Sequence, residues 1–252
     1  MKRKLSVTII TLNEEQDLRR CLDSLEGLAD EVVVVDSGST DKTVEIAKKY
    51  KAKVFHNKFV NYADQKNYAL SKTTSEWVLS VDADEVVSSD LSEEISLLLQ
   101  KKDIKFSAFT IPRRNVIFKK EIKYTRWQPE LDRHVWLWKK NLGKWVGDVH
   151  EEVSVEGSVG KLSAVKIHYQ YETIREFLVM VNKYTELEAR EGIAKGRRFS
   201  YFQFVFQPVY NFSVRYFYRL GYLDGWRGFV LSYLMGIYHL VLWIKIWEKG
   251  RI

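Results

Sequence analysis

The stretch SEWVLSVDADEVVSSD, residues 75–90, decides how the chain is read. Its first half, Trp77 to Val81, is a continuous apolar run of the kind that forms a strand covered on both faces. The run then delivers Asp82, Asp84 and Glu85 almost in a row. Carboxylates crowded at the end of a buried strand repel one another and call for a positive partner.

Working toward the N-terminus, strands and helices alternate. LSVTIIT (5–11) is rich in β-branched residues and predicts a first strand. Asn13 is placed to cap a following helix, with Glu14 and Glu15 in its first turn, where the helix dipole favours anions. Leu18, Cys21, Leu22, Leu25 and Leu28 give the helical period, and Gly27 falls near its stop. EVVVVDS (31–37) predicts a central parallel strand. GSTDKTVEIAKKY (38–50) predicts a turn and helix capped by Ser39 or Thr40. AKVFH (52–56) is a short third strand, YADQKNYALSKT (62–73) a helix, and EWVLSVDADE (76–85) the fourth strand. Repeated βα units imply a parallel sheet with right-handed crossovers.

In such a sheet ligands bind beyond the carboxyl ends of the strands. Three polar groups fall there: Thr11, Asn13 and Glu14; Asp36 to Ser39; and Asp82, Asp84 and Glu85. Any one of them alone reads equally well as a cap or turn. Three on one rim point to a ligand.

Composition sets the outer bounds. With 252 residues, 46% of them hydrophobic and 29% charged, the chain can bury a sizeable core. A net charge of +7 suits a phosphorylated substrate, an anionic membrane surface or a nucleic acid, without choosing among them. The one cysteine, Cys21, excludes an internal disulfide and sits on an apolar stripe as a packing residue. MKRKLSVTIITLNEE is basic, then briefly apolar, then acidic, which is a first strand rather than a signal peptide.

VTIITLNEEQDLRRCLDSL (7–25), EVVVVDSGSTDKTVEIA (31–47) and WVLSVDADE (77–85), taken in order, resemble the nucleotide-sugar-binding half of family 2 glycosyltransferases. The resemblance covers roughly residues 4–100. It implies an α/β GT-A fold: a Rossmann-like nucleotide-sugar-binding domain with a mixed central sheet, here followed by C-terminal aromatic-rich helices. Asp82-Ala83-Asp84 matches the family's D-x-D motif. By resemblance Asp82 faces the ribose and metal, and Asp84 holds Mg²⁺ or Mn²⁺. A hard cation held by carboxylates neutralises charge on a departing diphosphate. The resemblance also implies that Asp36 reads the donor base and that Thr11, Asn13 and Glu14 line the nucleotide pocket. Lys66, flanked by Gln65 and Asn67, would lie near the diphosphate. On the residues alone Lys66 is equally a solvated surface lysine. Many relatives have Asp-Asp where this chain has Asp36-Ser37. Glu85 has no role assigned by the resemblance and reads as structural.

An acceptor hydroxyl needs a base. KWVGDVHEEV (144–153) resembles the W-x-G-x-x-H-E segment of a branch that includes lipopolysaccharide-core glucosyltransferases. That resemblance implies Glu151 as the base, with His150 near metal or diphosphate; Asp148 and Glu152 are the alternatives. Without it, WVGDVHEEVSVEG reads as an ordinary alternating strand. Residues 112–140 carry nine Arg and Lys with Trp127, Trp136 and Trp138 between them. This is either an acceptor surface, with Trp127, Arg133 and Trp145 as candidates, or a twisted hairpin with a basic face. No nucleic-acid-binding motif is present, so a nucleic acid is not an expected partner.

From Phe199 onward there are 17 of the chain's 35 aromatic residues. Two helical pieces are predicted, meeting near Gly221–Gly228, the second running from Phe229 to Ile244. Sixteen residues fall short of the roughly 20 that span a bilayer. Aromatics beside cations suit a helix lying on an anionic membrane; a helix buried against the catalytic domain or in a dimer interface is the main alternative, and a single membrane span a less favoured one. The expected segments are 1–100 for the nucleotide sugar, 101–170 for acceptor and catalysis, and 171–252 as a helical region. The expectation is an inverting, metal-dependent transferase moving glucose or a related hexose from a UDP-sugar to a cell-envelope saccharide or lipid-linked acceptor. It would sit in the cytoplasm, peripherally attached to the inner face of the membrane. A polyprenyl-phosphate transferase and a non-catalytic sugar-nucleotide-binding module are the alternatives.

Overall fold

The computed structural model describes residues 3–147 and 151–250. The chain forms two compact units, one of residues 1–113 and 132–168, the other of 114–131 and 169–252. Most of 101–170 belongs with the N-terminal hundred residues, and 114–131 belongs with the C-terminal helices.

The first unit opens with β1 (Leu5–Thr11), α1 (Leu18–Asp23), β2 (Glu31–Asp36), α2 (Thr43–Lys49) and β3 (Lys53–His56). It continues with α3 (Tyr62–Lys72), β4 (Trp77–Ser80), β5 (Glu85–Val87) and α4 (Ser89–Gln100). Next come β6 (Ala108–Ile117), β7 (Lys120–Glu121), β8 (Arg133–Lys139), β9 (Gly143–Val146), β10 (Glu152–Val155), β11 (Val159–Lys161) and β12 (Lys166–Tyr169), of which β7 lies in the second unit. The sheet runs β3-β2-β1-β4-β8-β6-β12-β5. Its first four strands are parallel and β8 runs antiparallel to β4, so the sheet is mixed. The apolar runs of β1, β2 and β4 are buried as their composition demands, with Trp77 and Trp138 at zero exposure. Register sets the rim: Thr11 lies opposite Asp36, and Asp36 opposite His56.

Three local readings are corrected. Asn13 does not cap a helix, because α1 starts only at Leu18 after Asp17. Asn13 instead adopts a left-handed φ of 58° and accepts a hydrogen bond from the Thr40 N–H at 2.9 Å. Ser39 and Thr40 do not cap α2, which begins at Thr43; Asp41 accepts the Thr43 N–H there at 3.0 Å. The fourth strand also stops earlier than expected. It ends at Ser80, and Asp82 to Asp84 form a turn before β5.

The second unit is built on α5 (Ile174–Ala194), α6 (Tyr201–Ser213) and α7 (Trp226–Lys249). Thr173 and Glu176 make a reciprocal cap on α5: Thr173 Oγ1 accepts the Glu176 N–H, and Glu176 accepts the Glu172 N–H. Phe177 and Val181 pack with Leu231, Leu234, Ile117, Phe118 and Ile122. α6 has no buried residue; Tyr201, Phe202, Val205, Phe206, Val209 and Tyr210 are all exposed. α7 has 24 residues rather than the expected sixteen, long and apolar enough to cross a membrane by length and composition, with 39% of its most apolar window buried.

Candidate active site

Four segments build the carboxyl rim. At the end of β1 and β2, Asp36 is almost fully buried and both its oxygens are taken. Thr11 Oγ1 donates to Oδ1 at 3.1 Å, and the Gly38 and Ser39 N–H groups donate to Oδ2 at 2.8 and 2.9 Å. Ser39 Oγ also donates to Oδ1. Burial alone would raise the Asp36 pKa, but these hydrogen bonds outweigh it and hold the group below the ordinary carboxylate value. Gly38 closes the loop at φ +105°, a conformation side chains disfavour. Asp36 thus organises the loop, and a donor base that met its carboxylate would share it with these donors.

α3 supplies the second segment, and its three polar candidates separate. Gln65 Nε2 donates to Ser37 Oγ at 2.9 Å and to the Asn57 carbonyl at 3.2 Å, while Asn57 donates back at 2.8 Å. Asn67 clamps β9, donating to the Trp145 carbonyl at 2.9 Å and accepting the Trp145 N–H at 3.0 Å. Gln65 and Asn67 are therefore engaged in holding α3 in place. Lys66, between them, is no surface lysine: it is 4% exposed. Its ammonium lies 3.1 Å from Asp82 Oδ1 and 2.9 Å from Glu151 Oε1, over the Trp145 ring at 4.5 Å. Burial opposes its charge, yet Asp82 and Glu151 prevail and raise its pKa.

The turn after β4 is the third. Glu85, at zero exposure, accepts the Asp82 N–H at 2.9 Å, and the Glu85 N–H donates to the Asp82 carbonyl at 3.0 Å. Lys166 pairs with Glu85 within the core, and Arg113 reaches it at 3.4 Å. Lys166 also lies 3.6 Å from the centroid of Trp136. Glu85 is thus the anchor that fixes the acidic turn. Burial favours the neutral form of Asp82, but Lys66, Lys166, Arg113 and His168 reverse that and hold its pKa well below normal.

The fourth segment, β12, carries a residue that sequence reasoning missed. His168 pairs with Glu85 across the strands, and its Nε2 lies 3.1 Å from Asp84 Oδ2. The available signal was KIHY, an alternating run with an imidazole on one face, but nothing in the sequence says which strand it joins. Asp82 and Asp84 offer carboxylate oxygens, and His168 an imidazole, of the kind that could hold a divalent cation, but among the described residues no three such side chains already form a metal-holding group. The electrostatics fit a cation: Glu14 is raised to about 7 by burial, then by Asp84, Asp17, Asp82 and Asp41.

The acceptor candidates have different local surroundings. Trp145 is buried beneath Lys66 and beside Trp136 and Trp138 rather than presenting a face to solvent. Arg133 donates to the Thr110 and Leu162 carbonyls at 3.3 and 2.8 Å, tying strands together. Trp127 belongs to the other unit. His150 and Asp148 lie outside the described residues; Glu152, the remaining alternative base, is exposed at the start of β10.

A sheet that runs parallel and then antiparallel, with Asp82 and Asp84 in the turn after β4, matches the GT-A fold of glycosyltransferases. Residues 6–150 match the model of glycosyl transferase family 2, and the chain belongs to that family. It is 30% identical to the lipopolysaccharide core biosynthesis glycosyltransferase LpsC of Rhizobium meliloti, over 100% of this chain and 94% of that one. It is 28% identical to an uncharacterized glycosyltransferase of Rickettsia typhi, over 98% and 87%. Among solved structures, it resembles a mannosyltransferase of Pyrobaculum calidifontis in complex with GDP-Man and Mn²⁺, with a TM-score of 0.56 over 99% of this chain and 88% of that one. At 14% identity that likeness concerns the fold.

Proposed function

We propose that the protein is an inverting, metal-dependent transferase. It moves a hexose, glucose in the first instance, from a UDP-sugar to a cell-envelope saccharide or lipid-linked acceptor. The observation that supports this most is the Lys66 ammonium held between Asp82 and Glu151. One buried cation thereby joins the D-x-D turn to the carboxylate best placed to act as base. In the reaction, an acceptor oxygen forms a bond to the anomeric carbon as the bond to the diphosphate oxygen breaks. Glu151 takes the acceptor proton and the leaving oxygen keeps the electron pair. Mg²⁺ or Mn²⁺, held by Asp82 and Asp84 with His168 beside them, would neutralise charge on the diphosphate when bound. Lys66 keeps Asp82 ionised and holds Glu151 at the turn. Thr11, Asn13 and Glu14 border the loop where the nucleoside would lie.

The exposed aromatic face of α6 favours an acceptor or anchorage at the cytoplasmic face of the membrane. It also keeps a polyprenyl-phosphate acceptor as a second reading. A panel of UDP- and GDP-sugars, with product mass detection and organic extraction, tests the assignment. Transfer from UDP-glucose to a water-soluble envelope saccharide is expected. A product that moves wholly into the organic phase selects the polyprenyl reading, and absence of transfer with every donor overturns the catalytic one.

A further inference from the structure

Among the described residues, the second unit contains a buried cation for which no anion is found. Arg215 is 8% exposed, yet its Nε and Nη1 atoms find no acceptor. Its guanidinium lies 4.9 Å from the centroid of Trp127, a contact that leaves the N–H donors unsatisfied. Arg126 is the charged group nearest in effect, and it has the same sign. A buried guanidinium with unsatisfied N–H donors is costly to fold around, so its retention calls for a partner that the described residues do not supply.

The surroundings supply more donors than acceptors. The segment 123–128 lies against residues 215–224. The Thr125 N–H donates to the Arg219 carbonyl at 3.0 Å, and Asp224 accepts the N–H groups of Lys123 and Tyr124 at 3.0 and 2.9 Å. Asp224, the one acid in this segment, is thereby turned to the backbone. A Cβ on Gly221 would stand 2.7 Å from the Arg215 carbonyl oxygen and 2.9 Å from Thr125 Cγ2, so only glycine permits this approach. Thr125 Oγ1 and Arg219 Nε are also buried without partners. Thr125 and Leu220 both hold left-handed φ, at 67° and 57°, and residues 214–218 form a π-helical turn.

We propose that Arg215, with Arg219, Arg126 and Thr125 around it, is a binding site for a phosphate group. A carboxylate has two oxygens; the unsatisfied N–H groups of Arg215 and Arg219 and the Thr125 hydroxyl, with the charge of Arg126 beside them, match the several oxygens of a phosphate better. The phosphate belongs either to a phosphorylated saccharide or to a lipid headgroup, since Phe217, Tyr218, Tyr222 and Trp226 beside it are exposed.

The test is melting of the full chain in sodium phosphate or glucose 6-phosphate against sodium chloride of equal ionic strength, with UDP present throughout. A parallel arm floats the protein with phosphatidylcholine vesicles with and without phosphatidic acid. Arg215→Met and the milder Arg219→Gln are compared with the wild type. Arg215→Met is expected to melt higher than wild type in chloride, because it removes an uncompensated charge. It should bind phosphate roughly ten- to a hundredfold more weakly, and Arg219→Gln should weaken binding in the same direction. An Arg215-dependent rise with soluble phosphates identifies a saccharide phosphate. An Arg215-dependent gain confined to phosphatidic acid vesicles identifies a lipid headgroup. A wild type that responds to neither, or an Arg215→Met that melts lower and keeps the full response, overturns the proposal.

Discussion

Lys66 and Glu151, separated by 85 positions in the chain, meet at 2.9 Å. Lys66 is buried and also touches Asp82, so this one ammonium neutralises two carboxylates of different origin. Removing one member of a buried ion pair leaves the others uncompensated. Lys66→Met should therefore destabilise the protein by on the order of 3 kcal/mol and reduce UDP affinity. Chemical denaturation and calorimetric UDP titration measure both. An unchanged midpoint would show that the ammonium is not what holds the two acids together.

Glu151→Gln separates holding Lys66 from accepting a proton. The amide keeps an oxygen for the Lys66 ammonium but cannot serve as the base. The expected result is a loss of kcat of about 10²- to 10⁴-fold, with UDP binding changed only severalfold. Wild-type turnover in this variant would remove Glu151 as the base and turn attention to Glu152 and the His150 segment.

Glu14 predicts an unusual pH response. Its folded pKa is about 7, against an ordinary 4.5, raised first by burial and then by the Asp84, Asp17, Asp82 and Asp41 charges. Between those values the folded state binds the extra proton, so this group lowers stability as pH rises from 4.5 toward 7 and adds no further change above it. In metal-free buffer, melting temperature should fall across that window, and Glu14→Gln should flatten this component. Mg²⁺ or Mn²⁺ should flatten it too, by neutralising Asp82 and Asp84. A slope indifferent to both the variant and the cation would contradict this account of the rim.

Glu85 and Lys166 should be structural rather than catalytic. Lys166→Met leaves a fully buried carboxylate with only Arg113 opposite, at a loss of about 3–5 kcal/mol. Lys166→Met with Glu85→Gln removes the stranded charge while keeping an acceptor for the Asp82 N–H. The pair should recover part of that loss, with a coupling above about 1 kcal/mol in a denaturation cycle. Additive losses would mean the two do not act as one anchor.

The rim was legible because βα alternation and strand polarity place Thr11, Asp36 and Asp82 without knowledge of any long-range contact. The partners of those residues were not legible. The pairing of Lys66 with Asp82 and Glu151, and of His168 with Asp84, depends on where the separate β9–β10 ribbon lies and on where β12 joins the sheet, which local periodicity does not encode. Lys166 shows the same limit from the other side. A lysine in a strand reads as a surface residue until the buried Glu85 opposite it is known. Asn13 illustrates competition between local rules, since its side chain is as well suited to a left-handed turn as to a cap, and the hydrogen bond to Thr40 decides.

The aromatic face of α6 makes the last prediction. Phe202, Phe206 and Tyr210 stack at helical spacing, with centroids 5.2 and 5.4 Å apart, and all three are exposed. Such a ladder gains nothing from water and suits the interfacial region of an anionic membrane. Each Phe contributes about 1.5–3 kcal/mol when fully buried, so Phe202→Ser with Phe206→Ser should lower partition into phosphatidylglycerol vesicles by at least about tenfold, even if burial there is only partial. Flotation measures that change. If the face is instead a contact between two copies, flotation stays the same and sedimentation shows a dimer becoming a monomer. Carbonate extraction completes the test, because a protein attached through α6 is released by it, while one that crosses the bilayer through the 24 residues of α7 is retained.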